Sequence, residues 1–191
     1  MGLNKRSYQA IPAHMAEDSG LQNSIGLLIS ILVRYPEVGT VRYNPEAQTL
    51  KFTFILKVVP PRERQRRFFA LFRESLQAFY GLTGREPLVF ELERQVYRNF
   101  TLLELKRDIA TLSQEEISLF TGLVRDEFSD VLLTEENEPL QEEERLFQEE
   151  MIEHMLEDMR ESKLEKDLIG FREEGRVFVF NKGERVSDRK G

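Results

Sequence analysis

The chain has 191 residues, of which 40% are hydrophobic and 32% charged, with 27 basic against 34 acidic side chains and a formal net charge of −7. This is a folding composition, long enough for one packed core with an appendage and too short for a multidomain enzyme. Cysteine is absent and the two histidines, His14 and His154, lie far apart, which excludes disulfides, thiolate zinc sites, iron–sulfur clusters and cysteine nucleophiles and leaves no multi-histidine metal motif.

Residues 1–20 carry no periodic apolar pattern and are read as an N-terminal tail. The longest apolar run, Ile25 to Val33, is interrupted by Gly26 and Ser30 and is too short to span a bilayer. Lys5 and Arg6 precede it, but Glu17, Asp18 and Arg34-Tyr35-Pro36 do not suit a secretory leader, so a cytoplasmic protein without a membrane partner is expected. From Leu21 to Arg34 the apolar residues fall at helical spacing and spread almost all round the helix, as in a helix central to a core.

Pro36 stops that helix. Val38–Tyr43 and Thr49–Val59 then read as a hairpin joined by Asn44-Pro45-Glu46-Ala47, a type I turn sequence. In its second strand Leu50, Phe52, Phe54, Leu56 and Val58 point to one face, Lys51, Thr53 and Lys57 to the other. A helix from Arg62 to Tyr80 follows, with Phe68, Phe72, Leu76 and Phe79 as its core stripe and Gly81 and Gly84 closing it. Leu88–Arg94 and Phe100–Asp108 form a second hairpin. Ser113-Gln114-Glu115-Glu116 then opens a helix with a capping-box pattern, burying Ile117, Phe120, Leu123, Val124 and Phe128.

After Leu133 the composition shifts: residues 135–167 hold fourteen acidic and four basic side chains. A long helix from Leu140 to Lys166 is expected, with Phe147, Met151, Met155 and Met159 in one row and Ile152 and Leu156 beside it. A third hairpin, 168–172 and 176–181, turns at Glu173-Glu174-Gly175, and its last strand alternates Val177 and Val179 with Phe178 and Phe180. Both faces of that strand are apolar, so at least one requires cover from the domain or a partner. The expected fold is α+β, an antiparallel sheet of helix–hairpin units with helices on one face, organised as a core at 21–133, an acidic helix and terminal hairpin at 134–182, and a tail at 183–191.

The chain has no Gly-x-Gly-x-x-Gly, Walker A or Gly-x-Ser-x-Gly motif and therefore no sequence signature of a nucleotide cofactor or a nucleophile elbow. Gly81-Leu82-Thr83-Gly84 imitates an RNA-clamping GxxG loop, but a helix C-cap requires glycine in any case, and a strand rather than a second helix follows. Glu150, Glu157 and Asp158 surround His154 at helical spacing, without the second histidine that a carboxylate-bridged metal site would need. No catalytic residue, metal ligand or cofactor is nominated, and no stretch carries a resemblance to a known family.

Two surfaces remain. Wheel angles bring Arg62, Arg66 and Arg73 into one strip, with Arg67 nearby and Tyr80 as an exposed stacking platform, a pattern suited to RNA or another anion. The acidic helix and terminal hairpin offer Phe147, Met151, Met155, Met159, Phe178 and Phe180 to a protein partner or a second copy, a dimer being favoured. The first reading is a non-catalytic protein-interaction or self-assembly module using this second surface. RNA or anion binding by the arginine strip, regulated by the acidic helix, is the alternative, and an enzyme of unrecognised type is the third.

Overall fold

The computed structural model describes residues 19–135, 139–162 and 164–182. The expected N-terminal tail up to residue 18 and the tail at 183–191 lie outside them. The elements run α1 (Ser19–Arg34), β1 (Thr40–Asn44), β2 (Thr49–Leu56), α2 (Arg62–Thr83), β3 (Phe90–Tyr97), β4 (Phe100–Asp108), α3 (Gln114–Phe128), α4 (Glu142–Glu161), β5 (Leu168–Glu173) and β6 (Arg176–Asn181). The strands form a single six-stranded sheet in the order β3-β4-β2-β1-β5-β6, with every neighbouring pair antiparallel. The fold is α+β.

Cross-strand register separates two faces. On one, Val41 lies opposite Phe52 and Gly170, Leu105 opposite Phe52 and Leu92, and Val179 opposite Gly170. The helices gather on this face. Phe120 of α3 meets Phe52 edge-on at 4.9 Å and Phe54 at 6.3 Å, while Phe68 of α2 packs on Phe128 at 4.8 Å. Helix α1 lies over β5, where a Cβ at Gly170 would come within 3.0 Å of Leu32 and 3.3 Å of Leu28; only glycine lets helix and strand approach this closely.

Helix α4 runs antiparallel along α1. Asn23 donates to Asp158 at 2.9 Å, the Met155 methyl fits the gap at Gly26, and Arg34 donates to Glu149 at 2.8 Å. Sandwiched between sheet and helix, α1 buries Leu21, Ile25, Leu27, Leu28, Ile31 and Leu32, which explains its nearly all-round apolar sequence. Ile152, Leu156, Met159, Leu164 and Leu168 belong to the same buried cluster as the strands of the first hairpin. The stretch after Leu133 therefore shares its core with residues 21–133.

Several boundaries differ from the sequence expectation. Strand β2 stops at Leu56, and Val58 is exposed. Helix α4 ends at Glu161, after which the chain runs extended so that Leu164 is buried and its carbonyl accepts from the Tyr43 hydroxyl at 3.2 Å. Gly81 lies inside α2, and Gly84, at φ 67°, is its left-handed cap. The inner stripe of α2 is Phe68, Phe72, Leu76 and Tyr80, with Phe79 only half-buried.

Candidate interaction surface

Among the described residues no helix lies over the opposite face of the sheet. Its centre is polar and internally paired: Lys51 donates to Glu104 at 2.7 Å, Lys106 to Glu91 at 3.1 Å, and Arg42 makes two hydrogen bonds to Asp167, at 2.6 and 3.1 Å. Each cation there has a carboxylate beside it, so this region presents little free positive charge to an anion.

The β5–β6 end of the same face is aromatic. The hairpin turns through Glu174 and Gly175, at φ 50° and 73°, the pair of left-handed residues typical of a two-residue hairpin loop. That turn places Phe171 opposite Phe178 and Ile169 opposite Phe180. The rings of Phe171, Phe178 and Phe180 lie nearly parallel, Phe171 being 5.7 Å from Phe178 and 5.6 Å from Phe180, and Phe180 is 53% exposed. Val177 and Val179 point the other way and pack against the core. The sequence reading found Phe178 and Phe180 but missed Phe171. The signal was available, since centring the hairpin on Glu174-Gly175 puts residue 171 across from 178.

Arg172 fastens this hairpin to α1. Its guanidinium donates to the Pro36 carbonyl at 3.1 Å and to that of Leu32, satisfying carbonyls that the end of a helix leaves unpaired. Burial lowers its pKa against the opposing pull of Glu135 and Glu37. Glu135 also accepts from the Gly175 amide at 3.0 Å, bracing the turn.

The α4 residues divide. Met159 is buried and Met155 half-buried against Gly26. The row that faces α1 is Ile152, Leu156 and Met159, one position round from the expected row, and Met151 is half-buried at its margin. Phe147 is 58% exposed, with Leu146 beside it at 53%. These two side chains stand on the first turns of α4, where residues 141–147 are all exposed.

The arginine strip is only partly as expected. Arg62, Arg66, Arg67 and Arg73 are exposed on α2, and Arg66 pairs with Glu63 at 2.8 Å. Tyr80 is buried rather than exposed, at 8%, because its hydroxyl donates to Glu116 Oε1 at 2.7 Å. The acidic helix does not screen the strip: α4 packs on α1 and α3, and its carboxylates pair with Arg34, Arg160 and His154.

Tyr80 joins a buried ion cluster at the β3–β4 end. Arg107, fully buried, donates to both oxygens of Glu116 at 2.6 and 3.0 Å, to the Val89 carbonyl at 2.9 Å and to Asp108. Asp108 accepts the amides of Leu88 at 3.0 Å and of Val89 and Thr111 at 2.9 Å. Burial works against its charge, but these bonds and Arg107 together hold the Asp108 carboxyl below the usual range, while burial and then Glu116 push the Tyr80 phenol up. The capping box is half-formed as a result. Ser113 accepts from the Glu116 amide at 3.3 Å, but the Glu116 carboxylate is committed to Arg107 and Tyr80. With its partners all supplied from within, the cluster ties β4 to α2, α3 and the chain preceding β3.

Among the described residues no group of three or more His, Asp or Glu side chains is placed to hold a metal ion, and no helix is long and apolar enough to cross a membrane. His154 is 68% exposed on its side chain and lies 3.7 Å from Asp158. An open cleft of about 500 Å³ lies beside the first turn, between Arg42, Asn44, Glu165 and Asn181, where the Arg42 charge is already held by Asp167. No protein-family model, curated protein or solved structure matches this chain, so a functional reading rests on its own geometry.

Proposed function

We propose that the protein is a non-catalytic, cytoplasmic protein-interaction or self-assembly module that makes contact through its terminal hairpin, with the exposed first turns of α4 as a secondary contact. The observation that carries this reading is the near-parallel stack of Phe171, Phe178 and Phe180 on a sheet face that no helix covers among the described residues, at the β6 end of the strand order. Aromatic side chains supply large contact area at small entropic cost, and an open strand edge adds main-chain hydrogen bonds. Leu146 and Phe147 extend the exposed apolar surface on α4.

The test compares the native size of the full-length protein in extract of its host with that of a Phe178→Ser/Phe180→Ser variant whose circular dichroism shows it folded. The wild type is expected well above its monomer mass of 22.5 kDa, with the variant falling towards it. Equal sizes for the two would end this reading. RNA or anion binding through Arg62, Arg66, Arg67 and Arg73 is the other outcome, supported by exposed arginines with few acidic neighbours; nuclease, rather than the phenylalanine substitutions, would then collapse the complex.

A further inference from the structure

We infer that the occupant of this surface is a second copy of the chain, with the two β6 strands pairing antiparallel about a twofold axis at Phe178 so that one sheet continues into the other. The inference rests on the reading of the terminal hairpin as the contact surface and names its partner and register.

Backbone alternation defines which groups are open. Lys182 donates its amide to the Asp167 carbonyl at 2.7 Å. In an antiparallel pair every second residue turns its N–H and C=O to the same neighbour. Arg176, Phe178 and Phe180 therefore face β5, while Val177 and Val179 direct theirs out of the sheet. Strand β6 carries none of the devices that protect an edge: no proline, no bulge and no charged side chain among its four central residues, Val177 to Phe180.

A twofold axis normal to the sheet keeps the aromatic faces of both copies on the same side only where residues of matching orientation lie opposite each other. Two registers do this with most of β6 paired. Centred on Val179, Arg176 of one copy would oppose Lys182 of the other, a like-charge contact. Centred on Phe178, Val177 and Val179 exchange hydrogen bonds across the seam, Arg176 lies across from the Phe180 ring, and the turn residue Glu174, displaced toward β5, comes within side-chain reach of Lys182 of the second copy. Glu174 and Lys182 are both exposed, and opposite charges within reach of each other and a cation over an aromatic face are both favourable. This self-complementarity in a single register argues for a second copy. The alternative of β6 against β3 would set Val-Phe-Val-Phe beside Glu91 and Glu93 and would propagate without closing.

The experiment is sedimentation equilibrium of the purified full-length protein at low ionic strength, for wild type, Lys182→Glu, Glu174→Lys and the double exchange. The wild type is expected to dimerise. Each single variant turns two symmetry-related attractions into repulsions and weakens the dimer about tenfold, and the double variant restores it to within about twofold of wild type. Tightening by Lys182→Glu would overturn the register and select the one centred on Val179. Dimers indifferent to all three variants would overturn pairing through β6. A wild type that stays monomeric when purified, while its complex in extract still depends on Phe178 and Phe180, would overturn the second copy as occupant and leave the hairpin reading standing.

Discussion

The two edges of the sheet are built on opposite principles. Strand β3 reads Phe-Glu-Leu-Glu-Arg-Gln-Val-Tyr, and six of its eight residues, all but Phe90 and Leu92, lie exposed, four of them charged or polar. Charges at that density make a poor template for another strand. Behind it, the ion cluster of Arg107, Glu116 and Asp108 ties the adjoining β4 to two helices and to the backbone of Val89. Strand β6 reads Arg-Val-Phe-Val-Phe-Asn, is held by β5 and by the packing of its valines under α1, and among the described residues has no helix over its aromatic face. One edge is finished by charge and the other is left fit for pairing, and a sheet with a single such edge can close as a dimer instead of growing as a fibre.

The largest expected effect lies at the finished end. Glu116→Ala would strand the fully buried Arg107 guanidinium with Asp108 as its one remaining carboxylate among the described residues, and removing one partner of a buried ion pair costs about 3–5 kcal/mol; denaturant unfolding of the variant against wild type measures it. A loss below 1 kcal/mol would mean that the cluster does not hold that end. At the open end Gly170→Val would drive a branched side chain into Leu28 and Leu32, with an expected loss of about 1–3 kcal/mol from overpacking and a lower thermal midpoint. The smallest change in stability, within about 0.5 kcal/mol, belongs to Glu91→Val/Glu93→Val on the exposed face of β3. This variant sharpens the contrast most directly: light scattering should show it assembling beyond the wild-type state, and an unchanged mass would show that charge is not what keeps β3 apart.

Local chemistry made the hairpins legible. The alternation of Leu50, Phe52, Phe54 and Leu56, the Asn44-Pro45 turn and the Glu174-Gly175 turn each act over a few residues, as does Ser113 capping α3. What the sequence hid depends on partners brought from elsewhere. Tyr80 shares its wheel angle with Arg62 and Arg73, yet it is buried because β4 and α3 deliver Arg107 and Glu116 to its end of α2. The methionine row of α4 is offset from the buried row because Ile152 and Leu156 fill the α1 interface while Gly26 leaves room for Met155 alone. Phe171 is not evident from its own strand because its place beside Phe178 follows from register across the hairpin. Of the two surfaces read from sequence, the hairpin gains a third ring and the arginine strip loses its aromatic member.

The position of β1 also bears on the order in which the molecule is assembled. Its inner neighbour β2 follows after a four-residue turn, but its outer neighbour β5 is reached only far along the chain: Arg42 binds Asp167 across 125 residues, and Tyr43 reaches Leu164 across 121. Such distant closure is slow compared with hairpin formation. During synthesis the outer side of β1 and the α4-facing side of α1 emerge long before the segments that cover them. The nascent chain therefore carries a temporary sheet edge and a bare apolar helix until its last third has left the ribosome, and that interval is when it is most exposed to misassociation.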